Sequence, residues 1–101
     1  MSNPARGEAT LAVAGLRLTL RPSFAALVAA EAELGPLFAL VERIAATGPG
    51  LDETVALFWH CLADRPPALT RERLGEAVVA AGLAAAMPAL RSLLQQILDG
   101  R

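Results

Sequence analysis

Between Glu8 and Arg21 the side chains alternate so regularly that a single strand pairing is imposed on them. If Ala14-Gly15 forms a two-residue loop, Val13 faces Leu16, Leu11 faces Leu18 and Ala9 faces Leu20, and all six apolar side chains fall on one side. The opposite side collects Glu8 across from Arg21, Thr10 across from Thr19 and Ala12 across from Arg17, which are compatible cross-strand pairs. A slip of one residue would destroy the match, so a one-faced, half-buried hairpin is expected over about residues 8–21, with its polar side outward. Ala14 is not the residue that a tight primed turn prefers at its first position, where Gly or Asn fits best, so a longer loop is the alternative, although a one-residue shift would break the face match.

Everything after the hairpin reads as helix, because each apolar stretch has its own start and stop signals. Ser23 is a good N-cap for a first helix over about residues 23–34, with a stripe of Phe24, Leu27, Val28 and Leu34 and a stop at Gly35. Pro36 opens a second, about 36–46, with Leu37, Leu40, Val41 and Ile44 on one face, ended by Gly48-Pro49-Gly50. Asp52 caps a third, about 53–64, whose apolar arc of Val55, Leu57, Phe58, Trp59, Cys61 and Leu62 is broad enough for a central, heavily buried helix. Arg65-Pro66-Pro67 breaks the chain, and Thr70 caps a fourth over about 70–81, carrying Leu74, Ala77, Val78 and Ala81 up to Gly82. A fifth, about 86–99, places Pro88 in its first turn and carries Leu90, Leu93, Leu94 and Ile97. The fold class expected is α+β, mainly α: an N-terminal β-hairpin followed by four or five short packed helices, in one domain over residues 1–101.

Composition narrows the function. The formal net charge is −1, from nine Arg, no Lys and ten acidic residues, so no basic face invites nucleic acid or anionic lipid. Cys61 is alone, which rules out an internal disulfide and suits a reducing compartment, the cytoplasm by default. Residues 1–6 lack the apolar stretch of a signal peptide, and the longest uncharged run, Ala77 to Leu90, is shorter than the roughly 18 residues a bilayer span needs. Hydrophobic residues make up 54% of the chain, yet only four are aromatic. Ala favours helix and close helix approach but buries little area per residue, which leaves apolar surface for a partner. The same Ala and Arg enrichment also follows from a G+C-rich genome.

The search for chemistry returns little. Glu53, His60 and Asp64 fall within a narrow arc of the third helix, and His60 and Asp64 are four apart, as two metal ligands could be, but a histidine near a helix C-terminus beside an acid is the ordinary arrangement of a solvated polar stripe, so no metal site is assigned. Cys61 lacks an activating base, because its neighbour His60 points elsewhere, and reads as a small core hydrophobe. Trp59 reads as core rather than partner anchor. Gly48-Pro49-Gly50 lacks the Lys and Ser/Thr of a phosphate loop. No catalytic residue and no cofactor are assigned. One residue breaks the pattern: Glu31 falls on the apolar stripe of the first helix, whereas Glu33 takes the solvent side. Glu31 then either sits at a wet edge or accepts bonds from Arg17, Arg21, Arg43 or the amides that open the second helix.

The run Arg21-Pro22-Ser23-Phe24-Ala25-Ala26-Leu27-Val28-Ala29-Ala30-Glu31-Ala32-Glu33-Leu34-Gly35, taken with Leu69-Thr70-Arg71-Glu72-Arg73-Leu74-Gly75-Glu76-Ala77 and Ala81-Gly82-Leu83, resembles the tail assembly chaperone family of gene transfer agents, phage-like particles of some bacteria. The resemblance spans most of residues 6–98 and includes the glutamate at position 31 with a glycine after it. It implies a non-enzymatic, cytoplasmic protein that shields the tape measure protein and helps recruit tail tube subunits, with neither nucleic acid nor membrane as a partner and at most weak self-association.

Two other classes compete with that expectation. One is a structural subunit of the tail, distinguished by its presence in finished particles. The other is a small helical DNA-binding regulator, for which the helices flanking Gly82 are the only candidates; Arg91, Gln95 and Gln96 make a poor reading face. For a chaperone, the preferred contact residues are Phe24, Glu31 and Leu34 on the first helix, with Leu90, Leu94 and Ile97 on the fifth as the rival surface.

Overall fold

The computed structural model describes residues 8–100, so the reading of residues 1–6 lies outside the described residues. Strands β1 (Ala9–Val13) and β2 (Leu16–Leu20) are followed by α1 (Phe24–Leu34), α2 (Leu37–Thr47), α3 (Leu51–Cys61), α4 (Arg71–Ala81) and α5 (Leu83–Asp99). This is the expected mainly helical α+β architecture, a two-stranded hairpin and five helices.

The hairpin has the register imposed by its alternation: Ala9 pairs with Leu20, Thr10 with Thr19, Leu11 with Leu18, Ala12 with Arg17 and Val13 with Leu16. Ala14 and Gly15 both adopt positive φ, 46° and 81°, as a type I′ loop demands. Ala9, Leu11, Val13, Leu18 and Leu20 are buried, and Leu16 packs at the margin. The polar side departs from expectation at Glu8, which is only 4% exposed. Arg21 Nε donates to Glu8 Oε2 at 3.0 Å, while Gln96 Nε2 of α5 donates to the Glu8 carbonyl at 3.0 Å. Helix α5 therefore covers the start of β1.

Three helix boundaries differ from the sequence expectation, each for a physical reason. Helix α3 begins at Leu51 with Gly50 as its cap, not at Asp52, because the Glu53 carboxylate reaches back to the Gly50 N–H at 3.3 Å and Thr54 Oγ1 donates to the Gly50 carbonyl at 2.8 Å. It ends at Cys61 rather than 64 because Leu62 turns extended and bridges to Leu20. The Arg21 N–H donates to the Cys61 carbonyl at 2.7 Å and the Ala63 N–H to the Thr19 carbonyl at 2.9 Å, so the outer edge of β2 is partly satisfied by the chain leaving α3. Helix α5 begins at Leu83, not 86. Gly82, at φ 93°, ends α4 and starts α5 in a single residue, and the chain bends by 117° there. Pro88 consequently lies beyond the first turn; the bond it forfeits is the one to the carbonyl of exposed Ala84, which water can serve.

Helix α3 is the central element, with Thr54, Val55, Ala56, Leu57, Phe58 and Cys61 all buried. Around it the core is closed by Leu11, Leu20, Leu40, Leu74, Val78 and Leu93, one or more from β1, β2, α2, α4 and α5. Helix α1 contributes only Ala30 to the buried set.

Candidate functional site

Helix α1 covers only half of the stripe expected of it: Leu27 and Leu34 pack against the core margin, whereas Phe24 and Val28 do not. Ala26, Ala30 and Glu33, spaced i, i+4 and i+7, share the side that packs toward α3. Phe24, Val28 and Glu31 therefore lie nearly opposite and face outward. Phe24 is 85% exposed, and Val28 is half-exposed. The small alanine side allows close approach to α3 and leaves Phe24 and Val28 outside.

Helix α2 extends this outer surface. Leu37 and Leu40 are buried and Val41 and Ile44 lie at intermediate depth, as their stripe predicts, but Phe38 stands off the stripe and is 78% exposed. Phe24 and Phe38 flank a groove of about 220 Å³ whose lining includes Leu27, Val28, Glu31, Leu37 and Val41, closed at one end by Ile97 and Leu98 of α5. Sequence reading missed Phe38. The available signal was a second phenylalanine placed just outside a buried helical stripe.

Glu31 holds the two walls of this groove in place. Its Oε2 accepts a hydrogen bond from the Leu37 N–H at 3.0 Å, which caps α2 from α1 across the turn. Pro36 has no side-chain oxygen to cap the helix, so a carboxylate supplied by α1 both satisfies an orphan amide and meets the positive end of the helix dipole. Glu31 is at the same time exposed, so the wet edge and the amide partner both apply. Arg21 and Arg43 are engaged elsewhere, with Glu8 and Glu53 respectively.

Glu33 is exposed, as expected, and from that surface position also ties three helices together. Arg71 of α4 donates through both Nη atoms to its carboxylate, with Nη1 to Oε1 at 2.8 Å, and His60 Nε2 of α3 lies 2.9 Å from Oε1. The Arg71 and His60 bonds hold the Glu33 carboxyl down at about 2, and the same carboxylate raises the pKa of Arg71. His60 thus pairs with Glu33 rather than Asp64. Among the described residues no group of three His, Cys, Asp or Glu is placed to hold a metal.

The other proposed contact residues divide by depth. Leu34, Leu94 and Ile97 are partly buried against the core, and Leu90 is 2% exposed within it. Ile97 lines the same groove as Phe24 and Glu31, so the two rival surfaces meet at that residue. Trp59 packs at the core margin beneath the Arg65 guanidinium, 3.9 Å from its ring centre, where the cation lies over the ring face. Burial pushes the Cys61 thiol up to about 12, which leaves it without thiolate at neutral pH. Among the described residues no single helix is long and apolar enough to cross a membrane.

Comparison with curated proteins finds no match, and comparison with solved structures finds none either. A family model described as phage tail tube protein, GTA-gp10, matches residues 6–100, nearly the whole chain. The hairpin, the α1 segment carrying Glu31 and the α4 segment through Gly75 all fall inside that match, and the chain belongs to this gene transfer agent tail family.

Proposed function

We propose that the chain is a non-enzymatic tail assembly chaperone of a phage-like particle, acting in the cytoplasm. It shields apolar helices of the tape measure protein and aids assembly of tail tube subunits around it. One observation carries this reading: a contiguous apolar face on which Phe24 and Phe38 stand almost fully exposed beside Val28 and Leu98. Surface aromatics grouped around a groove are characteristic of interaction sites.

The strength of such a contact suits a chaperone. Covering the exposed parts of these four side chains yields roughly 4–8 kcal/mol of apolar transfer energy. Association costs an amount of similar size, about 4–15 kcal/mol, in lost freedom. The net interaction is weak and reversible, as release from a maturing tail requires.

Coexpression with a tape measure protein from the same particle is the direct test. The tape measure protein should stay soluble with the wild-type chain and fall into the pellet with Phe24→Ser/Phe38→Ser, and the complex should persist at high salt because the face is apolar. If the tape measure protein is equally soluble alone, the reading fails. The family description favours a second reading, a structural tail subunit, and stoichiometric recovery of the chain from purified mature particles would establish that one instead.

A further inference from the structure

Helices α3 and α4 enclose a second groove, of about 700 Å³, that shares no lining residue with the Phe24–Phe38 groove. Its floor is Val55 and Gly75, and its walls are Leu51 and Val79, both substantially exposed. Its rim is acidic: Asp52 on α3, and Glu72 with Glu76 on α4. We propose that this groove docks a single amphipathic helix of a partner protein, apolar along one stripe and flanked by Arg or Lys. The proposal is independent of the chaperone reading and of the Phe24–Phe38 face.

Gly75 is the first support. Glycine inside a helix is unfavourable relative to alanine, so its presence calls for a reason. Its backbone is helical and does not need glycine, and a Cβ added there would meet Val55 Cγ1 at 3.7 Å, an ordinary contact. Neither the chain conformation nor the α3–α4 packing requires a bare position. What the missing side chain does is keep the floor of the groove open along the line between Leu51 and Val79.

The charge on the rim is the second. Glu72 and Glu76 are one helical turn apart, an arrangement that repels on an isolated helix. Among the described residues neither has an ion-pair partner. Arg71, the one cation lining the groove, directs both Nη atoms to Glu33 on α1. Asp52 feels the Arg71 charge, but Glu72 and Glu76 add negative charge along the α4 rim, and an apolar floor with such a rim attracts a ligand that is itself apolar and basic. The α4 side of the groove runs from Arg71 to Ala80, a rise of about 14 Å, which accommodates roughly two and a half turns of a docked helix.

The test is a displayed library of helical peptides of about 18 residues with leucines fixed on one stripe and Arg, Gln or Glu varied at the flanks. Arg-flanked helices should be enriched on the wild-type chain, and their affinity should fall by about tenfold or more between low and high salt. Gly75→Leu, which fills the floor, should lose the binding while its thermal melt still shows a folded protein. Glu72→Lys/Glu76→Lys, an exposed pair that leaves the core untouched, should shift the preference to Glu-flanked helices, and Phe24→Ser should change nothing. The proposal is overturned if no helix is enriched, if Gln- and Arg-flanked helices bind equally, or if both groove variants bind like wild type. A dimer that dissociates in Gly75→Leu would also overturn it, by assigning the groove to a second copy of the chain.

Discussion

Replacing Glu31 by Ala removes the side-chain bond that caps α2, since Pro36 at the cap position has none to offer. N-cap removal costs about 0.5–2 kcal/mol in general, and because Glu31 is exposed the lower half of that range, about 0.5–1 kcal/mol, is expected. For a chain of this size the loss corresponds to a drop in Tm of roughly 2–8 °C. Glu31→Gln separates the two parts of the interaction. The amide oxygen can still accept from the Leu37 N–H, so only the charge–dipole part, about 0.3–0.5 kcal/mol at an exposed site, should be lost. Urea unfolding followed by fluorescence of Trp59, the single tryptophan, measures both variants, and an unchanged m-value would show that the denatured state is the same. The expected order of stability is wild type, then Gln, then Ala. If Ala equals wild type, the Glu31–Leu37 bond is absent in solution; if Gln equals Ala, the effect is purely ionic and the capping argument is wrong. The same variants bear on function, because the turn that Glu31 pins sets the angle between the helices carrying Phe24 and Phe38.

Leu18→Asp should destabilise by several kcal/mol, about the cost of burying an unpaired charge, whereas Thr19→Asp on the opposite side should matter little; equal losses in denaturant melts would contradict the assigned faces. The Glu33 carboxyl is held at about 2 against an ordinary 4.5, so its contribution is present above about 4.5 and is lost as pH falls toward 2. Acid titrations of wild type and Glu33→Gln should therefore differ near neutrality and converge below about pH 2; parallel curves would show that the Arg71 and His60 contacts do not persist in solution. The buried Cys61 thiol, raised to about 12, should react with a thiol reagent only on unfolding, so rapid labelling of the native protein would refute its place in the core.

How far the fold could be read from the chain depended on how much of each signal was local. The hairpin register was legible because it follows from alternation about one loop, and a one-residue slip in pairing would set the apolar side of one strand against the polar side of the other; the burial of Glu8 under α5 was not. The central position of α3 was legible from the width of its apolar arc. Its end was not, because Leu62 leaves the helix to pair with Leu20, a partner far away in sequence. The inward side of α1 was not legible either. Its sequence, FAALVAAEAEL, is apolar nearly all round, so polarity does not say which side is buried, and size suggests the wrong one. Phe24 and Val28 read as core for that reason, and the ion pairs of Glu33, which lies on the exposed surface as expected, were not foreseen. The Glu33–Arg71 pair joins residues on α1 and α4, and no spacing rule within one helix could have found it.

The same features explain how α1 can present large apolar groups without loosening the fold. A helix whose one fully buried residue is an alanine, with Leu27 and Leu34 only partly covered, gains modestly from transfer energy and is held by polar contacts as well. Ser23 Oγ accepts from the Ala26 N–H at one end, Glu33 is fastened to α3 and α4 through His60 and Arg71, and Glu31 locks the turn into α2. These are directional contacts on the inward side and at the ends, and none requires Phe24, Val28 or Phe38. The outer face can therefore be covered and uncovered by a partner while the core around Phe58 and Leu20 stays packed. Variants at Phe24 or Phe38 should accordingly abolish partner binding without lowering stability, whereas Glu33→Gln should weaken the docking of α1 and reduce both together.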